Sequence, residues 1–170
     1  MTAHAAKAFA DANDSSDITV SVAGRMTRIR SQGKVTFADI EDSEGRLQLF
    51  MRQDNIGDSY GLLADIDLGD FVGATGTMMR TKMGEISVMV KEVVLLAKAL
   101  RPPPEKFHGL RDVERRYRQR YLDLIANRNV HDTMRSRSRI ITAIRGFFDD
   151  RGYLEVDTPV LVPVPAGAMA

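Results

Sequence analysis

The chain has 170 residues, a net charge of +1 and no cysteine. That length allows one ordinary domain, or a small domain with part of a second, and the lack of thiols excludes a disulfide framework and thiolate metal sites. Hydrophobic residues at 44% and charged residues at 28% lie near globular averages, so a buried core is expected.

The charge is uneven. Residues 1–100 carry 11 Lys/Arg against 14 Asp/Glu, whereas residues 101–151 carry 13 against 7. A basic middle segment suits a polyanionic partner, or equally an arginine-rich solvated helix. The three histidines, His4, His108 and His131, are far apart, so no metal site is expected. No apolar run approaches the ~20 residues that span a bilayer, so no membrane partner is expected; the lack of cysteine suits a reducing cytosol, and a cytoplasmic location is expected.

Met1 to Asp17 lacks the charged-then-apolar plan of a signal peptide and is read as a flexible tail (residues 1–17). Ile18 to Ile29 is rich in β-branched and small residues, with Gly24 marking a bulge or bend. Ser31 to Lys34 is a turn. Lys34 to Ile40 alternates, Thr36, Ala38 and Ile40 pointing one way and Val35, Phe37 and Asp39 the other. After the turn Asp42 to Gly45, Leu47, Leu49 and Met51 point inward, with Arg46, Gln48, Phe50 and Arg52 outward. Asp54 to Asp67 has apolar residues at helical spacing and predicts a short helix. Phe71 to Arg80 is a strand curved at Gly73 and Gly76. Past the turn Thr81 to Gly84, Glu85 to Leu96 is the last strand, with Ile86, Val88 and Val90 on one face and Glu85, Ser87, Met89 and Lys91 on the other.

Strand, strand, strand, helix, strand, strand is the element order of the five-stranded OB barrel, whose strand 2–3 face commonly binds oligonucleotides. A generic small β-barrel fits the same signals. The barrel is placed at residues 18–98. Arg101-Pro102-Pro103-Pro104 stiffens the chain into a spacer and opens a proline-rich and helical linker at 99–130. Within it Asp112 to Leu124 reads as a helix with Val113, Tyr117, Tyr121 and Leu124 on one stripe. Its run Arg115 to Tyr121 suits RNA contact or docking, or a helix with packed tyrosines and solvated arginines. Asp132 is expected to cap a longer helix running to Asp150, with Gly152 as its stop. Tyr153 to Val156 reads as a short strand ended by Thr158-Pro159.

No nucleophile–base–acid set, phosphate-cradling loop or metal-ligand spacing is present, so no catalytic or metal-binding residue is assigned. The candidate binding set is Arg30, Phe37, Gln48 and Glu85. An exposed aromatic on a barrel strand can stack a base. Gln48 can donate and accept at a base edge, Arg30 can stack or contact phosphate, and Glu85 can accept from a base N–H. Phe37 is instead a core residue if the inward and outward faces are exchanged, and Gln48 and Glu85 are also compatible with plain solvent exposure.

The motifs Val22-Ala-Gly-Arg25, Gly33-Lys-Val-Thr-Phe37, Gly45-Arg-Leu-Gln48, Arg80-Thr-Lys-Met-Gly-Glu85, Lys98-Ala-Leu-Arg-Pro102, Glu105-Lys-Phe-His-Gly109 and Arg116-Tyr-Arg-Gln-Arg-Tyr-Leu-Asp-Leu124 resemble the N-terminal part of class II lysyl-tRNA synthetases (lysine–tRNA ligases) of the bacterial type. The fold this implies is mainly β: an OB-fold anticodon-binding barrel, a helical linker, and the start of the class II α+β catalytic domain at residues 131–170. Arg30, Phe37, Gln48 and Glu85 match the family's anticodon readers, so the implied partner is tRNA, through the U-rich lysine anticodon loop. Aspartyl- and asparaginyl-tRNA synthetases share the barrel and its aromatic–Gln pair, but the Leu100–Gly109 stretch and the Arg-Tyr run look lysyl.

Arg137 to Leu161 resembles class II motif 1, which implies a homodimer interface at Arg151, Gly152 and Pro159. Residues 131–170 alone are expected to be loosely ordered. Ala166 in Pro165-Ala166-Gly167-Ala168 departs from the family's glycine. The resemblance stops before motifs 2 and 3, whose arginines hold ATP in the family, and before the acidic residues that would bind lysine and magnesium. The intact enzyme is thus expected to use ATP and magnesium to make lysyl-adenylate and charge tRNA. This chain is expected to need no cofactor and to be inactive alone, as a fragment, incomplete reading frame or truncated paralogue. The other readings are a freestanding OB-type RNA-binding module acting in trans and a non-catalytic dimerisation fragment.

Overall fold

The structure, a computed structural model, describes residues 6, 9, 18–104 and 109–160. Alternation in residues 18–97 produces five strands because each can bury one face and solvate the other. They are β1 (Thr19–Gln32), β2 (Val35–Glu41), β3 (Arg46–Arg52), β4 (Phe71–Arg80) and β5 (Ile86–Ala97). They close into a barrel in the order β1-β2-β3-β5-β4, with β1 paired to β4. The β3–β5 pair is parallel and the others are antiparallel. This is the expected five-stranded OB architecture.

The inward residues Ile40, Leu49, Met51, Val72, Val88 and Val90 are all 0% exposed. Burying such a side chain is worth ~1.5–3 kcal/mol. β1 serves two neighbours, β4 through Thr19–Arg25 and β2 through Arg25–Gln32. Gly24 sits where it changes partner: a Cβ there would meet the Glu41 carbonyl at 3.0 Å. The bulge itself falls two residues later, between Met26 and Arg28. In β4 the register shifts between Thr75 and Gly76.

Three expectations in this unit need correction. The helix over Asp54 to Asp67 is a four-residue α1 (Gln53–Ile56) followed by a 3-10 helix over Gly57–Ala64. Residues 57–64 are wound too tightly for α spacing, yet Tyr60 from this segment shares a 2.9 Å hydrogen bond with the buried Thr36. Ser87, expected to point out to solvent, is 0% exposed. Of the expected tail, only Ala6 and Phe9 are described, and both are helical. Phe9 is 2% exposed and belongs to the core cluster.

The barrel ends are tied by Asp70. It accepts hydrogen bonds from Lys98 Nζ at 2.8 Å, the Ala99 N–H at 2.7 Å and the Asp67 N–H at 2.8 Å. Burial pushes this carboxyl up, but the hydrogen bonds from Lys98, Asp67 and Ala99 and the Lys98 charge outweigh it and hold it below the ordinary 3.8. The Lys98 ammonium is correspondingly raised from 10.5 by its hydrogen bonds to Asp67 and Asp70.

By internal contacts the chain divides into Met1–Pro103 and Pro104–Ala170. The second unit holds α2 (Val113–Arg118), α3 (Arg120–Ala126) and α4 (Arg128–Asp149). Asp112 caps α2, its carboxylate accepting from the Arg115 N–H at 2.6 Å. Gln119, at φ −117° and ψ 61°, then breaks the expected single helix. Tyr117 and Tyr121 are 72% and 57% exposed, so the expected packed tyrosine stripe is absent.

Two arginines of that run instead turn inward to Asp123, which is 0% exposed. It accepts from Arg116 Nε at 2.9 Å, from Arg120, and from Asn127 Nδ2 at 2.6 Å. Burial raises the Asp123 carboxyl, and hydrogen bonds from Asn127 and Arg116 with the two arginine charges reverse that, leaving it lowered. Asn127 also donates to the Leu110 carbonyl at 3.1 Å, and it occupies the N-cap position of α4. The expected cap, Asp132, lies inside the helix.

Gly152 does stop α4. It adopts φ +79°, its N–H donates to the Asp149 carbonyl at 2.9 Å, and the Tyr153 N–H donates to the Phe148 carbonyl at 3.1 Å. This pair of bonds is the glycine-closed helix end. The expected strand at Tyr153–Val156 is not formed: those residues are exposed and without regular structure. A strand needs a ladder partner, and none is present among the described residues. Glu105 to His108, Leu161 and the Pro165–Ala168 motif with Ala166 lie outside the described residues.

Candidate nucleic-acid interface

The outward residues of four strands line up in rows across the barrel wall. In one row Arg30 of β1 is the register partner of Phe37 of β2, Phe37 of Phe50 in β3, and Phe50 of Met89 in β5. In the next row Arg28 pairs with Asp39, Asp39 with Gln48, and Gln48 with Ser87. Neighbouring strands lie ~4.8 Å apart, so the wall carries two parallel tracks of side chains.

Phe37 and Phe50 are half-buried and lie outside the core cluster. Their rings sit 5.2 Å apart at 58°, a tilted contact typical of aromatic pairs. The alternation therefore has the right phase: Phe37 points outward. Arg30 is exposed, and its guanidinium has no hydrogen bond or ion pair among the described residues.

Gln48 is half-buried and held. The Ser87 hydroxyl donates to Gln48 Oε1 at 2.7 Å, which fixes the amide and leaves its N–H donors without a partner among the described residues. Ser87 is buried because Gln48 lies over it across the parallel pair. Glu85 is not on β5 but in the turn before it: its N–H donates to Thr81 Oγ1 at 3.0 Å and its carbonyl accepts from the Thr81 N–H at 2.9 Å. Its carboxylate faces Arg46 at 3.5 Å, both side chains being about half exposed (49% and 50%). The four candidate residues thus share one wall of the barrel, with Glu85 at its edge.

Sequence reasoning did not single out Phe50, Arg28, Arg46, Asp39 or Ser87. The same period-2 alternation marks Phe50 and Arg46 as outward and was the available signal for both. Asp39, marked outward, is 3% exposed.

A family model for the OB-fold nucleic acid binding domain matches residues 20–96, all of this barrel but the first residue of β1 and the last of β5. A second, for class II tRNA synthetases (D, K and N), matches residues 112–170. The lysine–tRNA ligase of Moorella thermoacetica is 56% identical over 152 residues, covering 89% of this chain and 31% of the relative. Across both units the chain is similar to the N-terminal part of class II lysyl-tRNA synthetases. The lysine–tRNA ligase of Dehalococcoides mccartyi (strain 195) is 52% identical over 150 residues, with 88% of this chain and 30% of the relative covered. That of Bacillus subtilis is 51% identical over 154 residues, with 90% and 31% covered. The chain therefore spans about 31% of the length of these relatives.

In the class II unit, Arg151 lies over the Phe147 ring at 3.5 Å and donates to the Phe147 carbonyl at 2.9 Å. Phe148 meets Phe147 and Tyr153 edge-on, each at 5.4 Å. Gly152 closes α4, and Pro159 is exposed. Ile140, Ala143, Ile144, Phe147 and Phe148 line an open apolar groove along the helix. No helix of the described residues is long and apolar enough to cross a membrane.

Proposed function

We propose that the barrel binds the anticodon loop of lysine tRNA, as part of an enzyme that attaches lysine to that tRNA. The observation that carries this is the outward track of Arg30, Phe37 and Phe50 beside the Ser87-braced amide of Gln48. Phe37 offers a stacking surface, worth ~1–3 kcal/mol per base. Gln48 presents fixed amide donors to a base edge, and single-stranded loops are where such edges are free to be read. Glu85 supplies an acceptor at the wall's edge and Arg30 a cation for phosphate or stacking.

The relatives are lysine–tRNA ligases by name, and the family resemblance extends the proposal to the intact enzyme: it activates lysine with ATP as lysyl-adenylate, uses magnesium, transfers the lysyl group to the tRNA, and works in the cytoplasm. Among the described residues no group of three or more His, Asp or Glu side chains could hold a metal ion, and no step of adenylate chemistry is assigned to them. The apolar groove of α4, with Arg151, Gly152 and Pro159 beyond it, is the surface for a homodimer partner.

The test is a titration of the chain with a stem-loop carrying the lysine anticodon, against one with the anticodon bases permuted. Phe37→Ala and Gln48→Ala are each expected to weaken binding about tenfold, within the stacking range above, and to erase the preference for the lysine loop. Parent-like binding by both variants would remove the assignment.

A further inference from the structure

Asp39 is a carboxylate where the barrel wall should be neutral or solvated. Its side chain is 5% exposed, yet Oδ2 has no hydrogen-bond partner. Two guanidinium groups approach that oxygen, Arg28 Nε at 3.6 Å and Arg46 NH1 at 3.5 Å. Both arginines are partly exposed, at 43% and 50%. Arg46 reaches on with NH2 to Glu85 Oε1 at 3.5 Å. Asp39 also sits directly opposite Gln48 in the β2–β3 register, and its carbonyl accepts from Thr27 Oγ1 at 3.2 Å, fixing the strand at the β1 bulge.

A buried charge is retained only when paired, and its partners are then held against it. Here the partners are surface arginines that would otherwise sample many rotamers. Arg46 lies between two carboxylates, one buried and one exposed, so the buried one sets where it can rest. The two contacts to Asp39 are ion pairs without a hydrogen bond, and the Arg46 hydrogen bond to Glu85 is a long one at 3.5 Å, so both arginines can still tighten onto an arriving anionic loop.

We propose that Asp39 is a positioning residue of the nucleic-acid-binding wall, holding Arg28 and Arg46 from below and, through Arg46, orienting the Glu85 carboxylate. This rests on the anticodon-binding reading and extends it to residues without base contact. Asp39 acts by pre-ordering cations that meet the backbone and an acceptor that meets a base.

Asp39→Asn keeps shape and polarity and removes the charge. Two measurements on the full chain decide the matter. The first needs no RNA: relaxation of the arginine Nε–H signals by NMR. In the parent, Arg28 and Arg46 should be more ordered than Arg52, whose ion pair is with the exposed Asp54 at 3.2 Å; in Asp39→Asn both should become as mobile as Arg52. The second is the lysine-anticodon stem-loop titration. Asp39→Asn is expected to bind about fivefold more weakly, and Arg46→Gln similarly.

The double variant should bind no more weakly than Arg46→Gln alone by more than the twofold share carried through Arg28. Unchanged arginine order in Asp39→Asn overturns the proposal whatever the RNA does. Fully multiplicative losses in the double variant, or parent-like binding by Asp39→Asn, overturn it as well. Parent-like binding by Phe37→Ala and Gln48→Ala removes the anticodon reading first, and this proposal with it, while the NMR comparison still shows whether Asp39 orders the two arginines.

Discussion

The contact between Ser87 and Gln48 shows how a reading residue is prepared. A lone surface glutamine loses rotamer freedom on binding. Here a buried hydroxyl spends its proton on Oε1 at 2.7 Å, so the amide is already oriented. Ser87→Ala should therefore weaken the lysine stem-loop by a few-fold through looser Gln48, while chemical denaturation shows a loss of only about 1 kcal/mol, the usual worth of one hydrogen bond. Equal loop affinity for Ser87→Ala and parent would show that Gln48 needs no brace. Which residues point outward was legible in the sequence, because a period of two assigns Phe37, Gln48 and Phe50 to one face. Which of them are braced was not. Ser87 and Gln48 lie 39 residues apart and meet only through the parallel β3–β5 pairing, and nothing local in either strand announces that.

Two features at the ends and bends of the strands carry the barrel's closure. Gly76 lies at the β4 irregularity, and a Cβ there would stand 2.1 Å from the Met89 carbonyl oxygen and 2.9 Å from the Val90 Cα. Those atoms are backbone and cannot swing aside. Gly76→Ala should cost roughly 2–3 kcal/mol, as overpacking does, read as a lower denaturation midpoint with an unchanged slope. The glycine was visible in sequence as a sign of curvature; its tight approach to β5 was not, since that depends on register.

The second feature is Asp70, held below 3.8 despite its burial. Its proton is bound more weakly in the folded barrel than in the unfolded chain. Its stabilisation is thus complete above that value and is lost as the pH falls through the folded-state pKa. Between pH 7 and pH 3 the parent should lose more stability than Asp70→Asn, which starts lower and changes less. Denaturation of both proteins at the two pH values checks this, and parallel losses would place the acid sensitivity elsewhere, Asp123 being the next candidate. The strand assignments survived folding because alternation and burial agree. The strand assigned to Tyr153–Val156 did not, because a ladder partner is needed and pattern alone cannot supply one.

The two units differ in how far each satisfies itself. The barrel buries its inward faces against one another. The 22-residue α4 buries only Val130 among its residues, and Ile140, Ile144, Phe147 and Phe148 remain 59%, 53%, 51% and 47% exposed. Most helical stability in proteins comes from packing an apolar face, so α4 draws little of it from its own unit. Local opening should follow that contrast. In hydrogen exchange at low concentration, amides across Arg137–Phe148 should exchange well before those of β2 and β3. If the groove is where a second copy docks, raising the concentration should slow exchange in α4 and leave the barrel unchanged, because only the helix gains cover. Phe148→Ser should abolish the concentration dependence without altering stem-loop binding by the barrel. Strong protection of α4 in the dilute chain would show that the helix is stable unaided. Protection that ignores concentration would argue against self-association through this face.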